Sequence, residues 1–366
     1  MTERRKIVAM NRSGHAEALV TLVRAEGSSY RQPGARLLIG GNAFVGTISG
    51  GCLEAEVVKK AAWKVRCGAV TERYSTLFDD TADIPYGLGC GGTVTLLFEL
   101  AATPEYNAIV HALEASILGT PLSVITWLPT DSQLFARAVL SSDSEIIFAS
   151  PSLDRAQITA ALKRPASANV FVEHLNPPQR LIVLGAGDDA KPLVNMASLL
   201  GWTVLVADGR HQFARPERFP SADRVLALTP AEIDTLNLTS ADAVVLMTHS
   251  YEQDRGWLAA VLPIVPLYFG VLGAKHRSSL LVSEAAAATG IPLAACCERI
   301  YAPVGLDLGG DGPEAIALAV IAEAHARCLG RLGSSLRLSA EDVATQIGRR
   351  DLALYIPSQC ALTPNP

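Results

Sequence analysis

Short apolar runs separated by glycine-rich or polar turns make up most of the chain, and their rhythm changes midway. In the first half, Ala18 to Ala25 is a moderately apolar segment that suits a strand or a short helix. A polar turn follows, GSSYRQPG (Gly27 to Gly34), and then the apolar segments ARLLIG and AFVGTI. Gly40, Gly41 and Asn42 between those segments supply the positive φ angles of a tight connection, which predicts a β-hairpin. The second strand runs into SGGC (Ser49 to Cys52) and then LEAEVVKKAAWKV, where Leu53, Val57, Val58, Ala61 and Ala62 approximate helical spacing. A second glycine-rich loop, PYGLGCGG (Pro85 to Gly92), feeds TVTLLFEL, whose β-branched and aromatic content predicts a strand. Between Ala101 and Ser150 the pattern predicts a helix and then strands at SVITWL and EIIFAS, so this half reads as mixed α and β.

The stretch from Arg164 to Gln179 carries Pro165, Pro177 and Pro178 and is the expected connection. It sets an N-terminal domain at residues 1–165, a boundary near residue 175, and a C-terminal domain at 175–330. The tail, 331–366, is left without an assigned role. Beyond the boundary, RLIVLGAG, a helical pattern through Leu200, WTVLVAD, RVLAL, DAVVLM and PLYFGVLGA alternate strand and helix. Such alternation implies βαβ units around a parallel sheet, and the expected class is α/β with a Rossmann-like C-terminal domain.

Composition narrows the function. At 366 residues the chain is long enough for two cores. A net charge of −5 supplies no general cationic field, so nucleic acid is not an expected partner. The first residues are charged and lack the apolar run of a signal peptide. The longest apolar stretch, Leu258 to Ala274, is broken by Pro263, Pro266, Gly270 and Gly273, which suits a buried strand better than a membrane span. Seven cysteines without compact spacing argue against a disulfide framework. A soluble protein of the reducing cytoplasm is expected.

Two cysteines have distinctive settings. Gly50 and Gly51 precede Cys52 and a predicted helix follows it, so the helix dipole favours its thiolate. Cys90 lies between Gly89 and the pair Gly91 and Gly92, where no neighbouring side chain hinders a bulky ligand. Each cysteine is also small and apolar enough to be an ordinary core residue, as Cys67, Cys296, Cys297, Cys328 and Cys360 are read. Two thiolates do not close a structural zinc site.

In the second half, Gly185-Ala-Gly187-Asp-Asp-Ala190 follows the strand RLIVL, and Asp208 ends the next strand, as in a dinucleotide-binding turn. Asp188 and Asp189 oppose a pyrophosphate there unless they point away, so a nucleotide site and a Rossmann fold without one both stand. Lys275, His276 and Arg277 follow PLYFGVLGA, either as phosphate ligands or as a solvated turn. His249 shares that edge. Asp311, Pro313 and Glu314 read as a helix start with Asp311 as the cap, and Asp307 is the reactive group in the glycine-rich loop before it.

Taken together, GSSYRQPGA, GTISGGCLE, GLGCGGTV, LIVLGAG, ADAVVLMTH, YFGVLGAK and PVGLDLGGDGPEAIAL resemble the XdhC/CoxI family over roughly residues 15–330. The resemblance implies a chaperone that binds molybdenum cofactor, as molybdopterin or its cytosine dinucleotide form, and assists its sulfuration and insertion into xanthine-dehydrogenase or CO-dehydrogenase type enzymes. It implies a molybdenum hydroxylase apoenzyme, a cysteine desulfurase and a cofactor nucleotidyltransferase as partners, and a homodimer. It assigns Cys52 and Cys90 as transient molybdenum ligands or sulfur carriers. Cofactor binding would fall to Arg31, Gly50, Gly51, Glu54, Gly91 and Gly92, and in the Rossmann half to Gly185, Gly187, Asp208, Lys275 and Arg277. Asp188 replaces a histidine and Tyr30 a proline common in the family. An NAD(P)-dependent oxidoreductase and a thiol-based sulfur carrier are the rival expectations.

Overall fold

The computed structural model describes residues 1–41, 43–51, 53–75, 84–85 (backbone alone), 92–131, 133–163, 169–335 and 337–342. Residues 2–177 and 178–337 form separate compact units, each with cores of its own.

The N-terminal unit begins with α1 (Thr2–Arg12), which the apolar pattern did not announce. Strands β1 (Ala18–Gly27), β2 (Arg36–Gly40), β3 (Ala43–Gly46), β4 (Val70–Ser75), β5 (Ile84–Pro85) and β6 (Gly92–Leu100) form one sheet in the order β3-β2-β1-β6-β4-β5. The segment after residue 17 is therefore a strand, and β2 and β3 are the expected hairpin, antiparallel from Leu37↔Gly46 to Gly40↔Ala43. Alternation sends β1 residues to two cores. Ala18, Val20 and Leu22 pack with Val57 and Ala61 of α2 (Glu54–Lys64), while Leu19 packs with Ile7 and Val8 of α1 and Ile109 of α3 (Pro104–Ile117). Each such Val, Leu or Ile side chain, taken fully from water, contributes about 1.5–3 kcal/mol.

A second sheet has the order β10-β7-β8-β9, from β7 (Leu122–Trp127), β8 (Ala136–Ser141), β9 (Ile146–Ala149) and β10 (Val170–Leu175), with α4 (Arg155–Lys163) packed on it. Buried Arg137 of β8 joins the two sheets through a bidentate bond to Glu99 of β6, with Nη1 to Oε1 at 2.7 Å and Nη2 to Oε2 at 2.9 Å. The stretch read as a connection thus holds a strand. Val170 to Leu175 pairs antiparallel with β7 throughout, and the units divide between Pro177 and Pro178. Pro177 and Pro178 mark the far end of the stretch, while Val-Phe-Val before them extends readily.

In the C-terminal unit, β11 (Arg180–Leu184), β12 (Thr203–Asp208), β13 (Arg224–Ala227), β14 (Ala243–Leu246) and β15 (Tyr268–Val271) make an all-parallel sheet ordered β13-β12-β11-β14-β15. On one face lie α5 (Ala190–Leu199) and α9 (Pro313–Cys328), and on the other α6 (Tyr251–Val261), α7 (Lys275–Thr289) and α8 (Leu293–Arg299). Leu181 and Val183 meet the first layer and Ile182 and Leu184 the second, as expected of strands buried on both faces. This is the expected Rossmann-like unit.

Two local expectations change. The run from Leu258 is not one buried strand: its start completes α6, where Trp257, Leu258 and Val261 face the core, and only Tyr268–Val271 is extended. Helix α9 has Gly312, not Asp311, as its N-cap, with Pro313 opening the first turn. Among the described residues no single helix is long and apolar enough to cross a membrane.

Candidate functional site

Cys52, Cys90 and Gly91 lie outside the described residues, while Gly51, Leu53 and Gly92 beside them lie within. The turn after β1 meets both flanks. The ring of Tyr30 lies over Gly50, 3.8 Å from where a Cβ would stand, and Gly92 packs against Ser28 so closely that a Cβ would fall 2.1 Å from the Ser28 carbonyl oxygen. Gly27 is paired with Gly92 in the sheet. The polar turn, the loop entering Cys52 and the strand leaving Cys90 therefore share one end of the first sheet.

Glu54 fixes the loop before Cys52. It is the first residue of α2 and almost wholly buried. Its Oε1 accepts from the Thr47 hydroxyl at 2.5 Å and from the backbone N–H groups of Ile48 (3.1 Å) and Ser49 (2.8 Å), while Oε2 accepts from the Ser49 hydroxyl. The Ser49 Oγ in turn accepts from the Gly51 and Leu53 amides, each at 3.2 Å. Burial pushes the Glu54 carboxyl up, but the bonds from Ser49 and Thr47 outweigh it and hold its pKa below the usual glutamate value. The pattern is a stretched capping box. Gly51, at φ +106°, makes the extra turn and leaves open space where a side chain would project. Glu54 consequently shapes the cradle, and its oxygens are already satisfied by the protein.

Arg31 donates from Nη2 to Glu3 of α1 at 2.7 Å and remains partly exposed. Glu3 also accepts from the Arg36 amide at 3.3 Å, and the Arg36 guanidinium meets Glu173 of β10. The first turn is thus tied to α1, which gives the N-terminal helix a positioning role that composition did not suggest.

In the C-terminal unit the glycine loop is held from several sides. Gly185 sits at φ +126°, and a Cβ there would lie 2.4 Å from the Met247 carbonyl oxygen, so only glycine lets the loops after β11 and β14 approach. Asp208 is fully buried and engaged: Oδ2 accepts from the Ala186 amide (2.8 Å) and Arg210 Nη2 (2.7 Å), and Oδ1 from the Arg210 amide and Nε, both at 2.9 Å. Burial raises its pKa, yet the Arg210 and Ala186 bonds prevail and hold it below the ordinary value. The acid in the ribose-binding register is spent on the protein's own loop.

Asp188 points outward and pairs with Lys191 (2.6 Å) and Arg218 (2.9 Å), which depress its pKa. Asp189 turns instead to His249, with Oδ2 to Nε2 at 2.7 Å. Arg277 donates to buried Asp254 at 2.6 Å, and Lys275 opens α7 beside a cavity of about 350 Å³ lined also by Ser278, Ser279 and Cys297. The two cations proposed together are therefore differently employed. Among the described residues no group of three or more His, Cys, Asp or Glu side chains is arranged for a metal ion.

These features define a two-unit α/β protein, with the polar turn, the Ser49–Gly51 segment and Gly92 at one end of an N-terminal sheet and a Rossmann-like sheet after them in sequence. The chain belongs to the XdhC and CoxI family, whose model matches residues 10–75, while the model of the XdhC Rossmann domain matches residues 181–324. It is 28% identical over 315 residues to a Bacillus subtilis protein named as a probable subunit of xanthine dehydrogenase, covering 83% of this chain and 91% of that one. It is 26% identical over 317 residues to the molybdenum cofactor insertion chaperone PaoD of Escherichia coli, covering 85% and 83% respectively. A solved chain described as a xanthine dehydrogenase from Bacillus halodurans superposes with a TM-score of 0.78 at 26% identity, covering 94% of this chain and 99% of that chain.

Proposed function

We propose that the protein is a molybdenum cofactor chaperone that holds the cofactor at its N-terminal glycine loops and delivers it to a molybdenum hydroxylase apoenzyme of the xanthine-dehydrogenase or CO-dehydrogenase type. The observation carrying this reading is the convergence of the polar turn, the Ser49–Gly51 segment and Gly92 at one sheet end, together with similarity along most of the chain to a cofactor insertion chaperone. The residues present fit such a cargo. Open backbone at Gly51 admits a bulky group, soft thiolates at Cys52 and Cys90 suit molybdenum or a transferable sulfur, and Arg31 offers a cation for the pterin phosphate. Glu54 serves by positioning the loop.

Sulfuration with a cysteine desulfurase, exchange with a cofactor nucleotidyltransferase, a homodimeric state and a cytoplasmic location belong to the same proposal. Within it, Gly185, Gly187 and Lys275 line a nucleotide site of the Rossmann unit's own, whose edge Asp208 and Arg277 hold in shape. The engagement of Asp208 weighs against an NAD(P) oxidoreductase.

Purification from a molybdenum-replete host, followed by assay of bound pterin, tests the proposal. Wild-type protein should carry or take up pterin, and Cys52→Ser and Cys90→Ser should each retain far less. Absence of pterin even after fresh cofactor is supplied would refute it. Sulfur addition to either cysteine after incubation with a cysteine desulfurase, read by mass spectrometry, tests the sulfur-carrier form.

A further inference from the structure

The order β13-β12-β11-β14-β15 makes the gap between the loops after β11 and β14 the topological switch point, where open parallel sheets bind ligands. Asp189 of the first loop and His249 of the second meet there. Three observations set this pair apart from a chance surface contact.

First, His249 has φ +60°, a backbone state costly for a residue with a side chain, and its surroundings enforce it. On its N-terminal side, Thr248 gives its amide (3.2 Å) and hydroxyl (2.6 Å) to buried Asp254, and its carbonyl accepts from Arg210 (3.2 Å). On the other side the Ser250 amide donates to the Thr248 hydroxyl oxygen at 3.1 Å. Second, this constraint does not serve the core, because the imidazole is 58% exposed. Third, the geometry sets the tautomer. An aspartate only accepts, so the nitrogen facing it, Nε2, carries the proton. The lone pair of the neutral ring is then on Nδ1, which has no partner among the described residues.

The loops and helices around the switch point carry charged groups that pair with one another. The loop after β11 brings Asp188 and Asp189, and α5 brings Lys191. The segment after β12 brings Arg210 and Arg218, with Asp208 beneath them, and α6 and α7 bring the Asp254–Arg277 pair. Both acids that would oppose a phosphate at the glycine loop are thereby paired, Asp188 with Lys191 and Arg218 and Asp189 with His249. Gly187 keeps the approach narrow but clear: a Cβ there would lie 2.4 Å from Asp189 Oδ1 and 3.8 Å from the His249 ring.

We propose that Asp189 and His249 form a general-base dyad that hydrolyses a pyrophosphate-linked nucleotide in the switch-point crevice. Nδ1 takes a proton from water as its oxygen bonds to phosphorus, and the bridging P–O bond breaks with its electron pair leaving on the departing phosphate. The imidazolium, held by Asp189, then returns the proton to that product. His249 is the catalytic residue, and Asp189 positions it. This activity depends only on the Rossmann unit and stands whether or not cofactor occupies the cysteine loops.

The test uses the full chain with ADP-ribose as the probe, followed by phosphorus NMR across a range of pH. Wild-type protein should release the two phosphate monoesters, and His249→Gln should be slower by roughly 100-fold with the same melting temperature. Asp189→Asn should lower kcat and leave KM unchanged, because the ring keeps its place beside the substrate but loses the carboxylate that orients it. Bound pterin is assayed on the same preparations, so that loss of hydrolysis and loss of cofactor retention are read separately. No hydrolysis by wild type, an unchanged rate in His249→Gln, or an unchanged kcat in Asp189→Asn would each overturn the proposal.

Discussion

Glu54 is the residue on which the first cysteine loop turns, since its carboxylate gathers three consecutive residues, Thr47 to Ser49. Glu54→Gln leaves part of that set unmet and should lower stability by roughly 1–3 kcal/mol in denaturant titration, with lost cofactor retention as a further effect. The carboxyl's pKa is depressed in the folded protein, so its contribution is complete above the value of a free glutamate, about 4.3, and is lost as pH falls through the folded value. Asp208 obeys the same sign. Acid unfolding of wild type should therefore steepen below the ordinary carboxylate range, and Glu54→Gln should flatten that limb, as far-UV circular dichroism against pH would report. At Gly185, substitution by alanine adds a Cβ against backbone at a positive φ, and a loss of roughly 1–3 kcal/mol is expected in thermal denaturation.

Among elements, β6 and β8 depend on each other through the Glu99–Arg137 pair, whose side chains are at most 2% exposed. Removing one partner strands a charge, so Glu99→Gln should cost about 3–5 kcal/mol, whereas replacing both with apolar residues of similar volume should restore most of it. Such partnerships were hidden in the sequence. The strands of the Rossmann sheet were legible because burial on both faces writes itself as unbroken apolar runs, as in Leu181–Leu184 and Ala243–Leu246. Helix α1 was not, since only Ile7 and Val8 bury and its remaining residues include Arg4, Arg5 and Lys6. Strand β10 was obscured by the prolines after it. At the site, glycines and cysteines stood out by type, but the Ser49–Glu54 box escaped recognition because two glycines stretch its spacing from three residues to five. The Asp189–His249 pair was equally invisible, since 60 positions separate residues that only the parallel sheet brings together.

For the whole molecule, the division at Pro177 and Pro178 separates units with independent cores, which predicts that residues 178–337 expressed alone unfold in one cooperative transition. Differential scanning calorimetry of that fragment checks it, and a transition absent or broadened beyond two-state behaviour would show that the unit needs the rest of the chain. The separation also assigns the chemistry: the cysteine loops belong to the first unit and the Asp189–His249 crevice to the second, so variants at one should leave the other's readout intact. The most direct measurement of the central claim is transfer itself. Protein loaded with molybdenum cofactor is mixed with a molybdenum hydroxylase apoenzyme, and hydroxylase activity is followed over time. The account predicts activation faster and more complete than free cofactor gives, and lost with Cys52→Ser. Activation no better than with free cofactor, or equal with the variant, would contradict it.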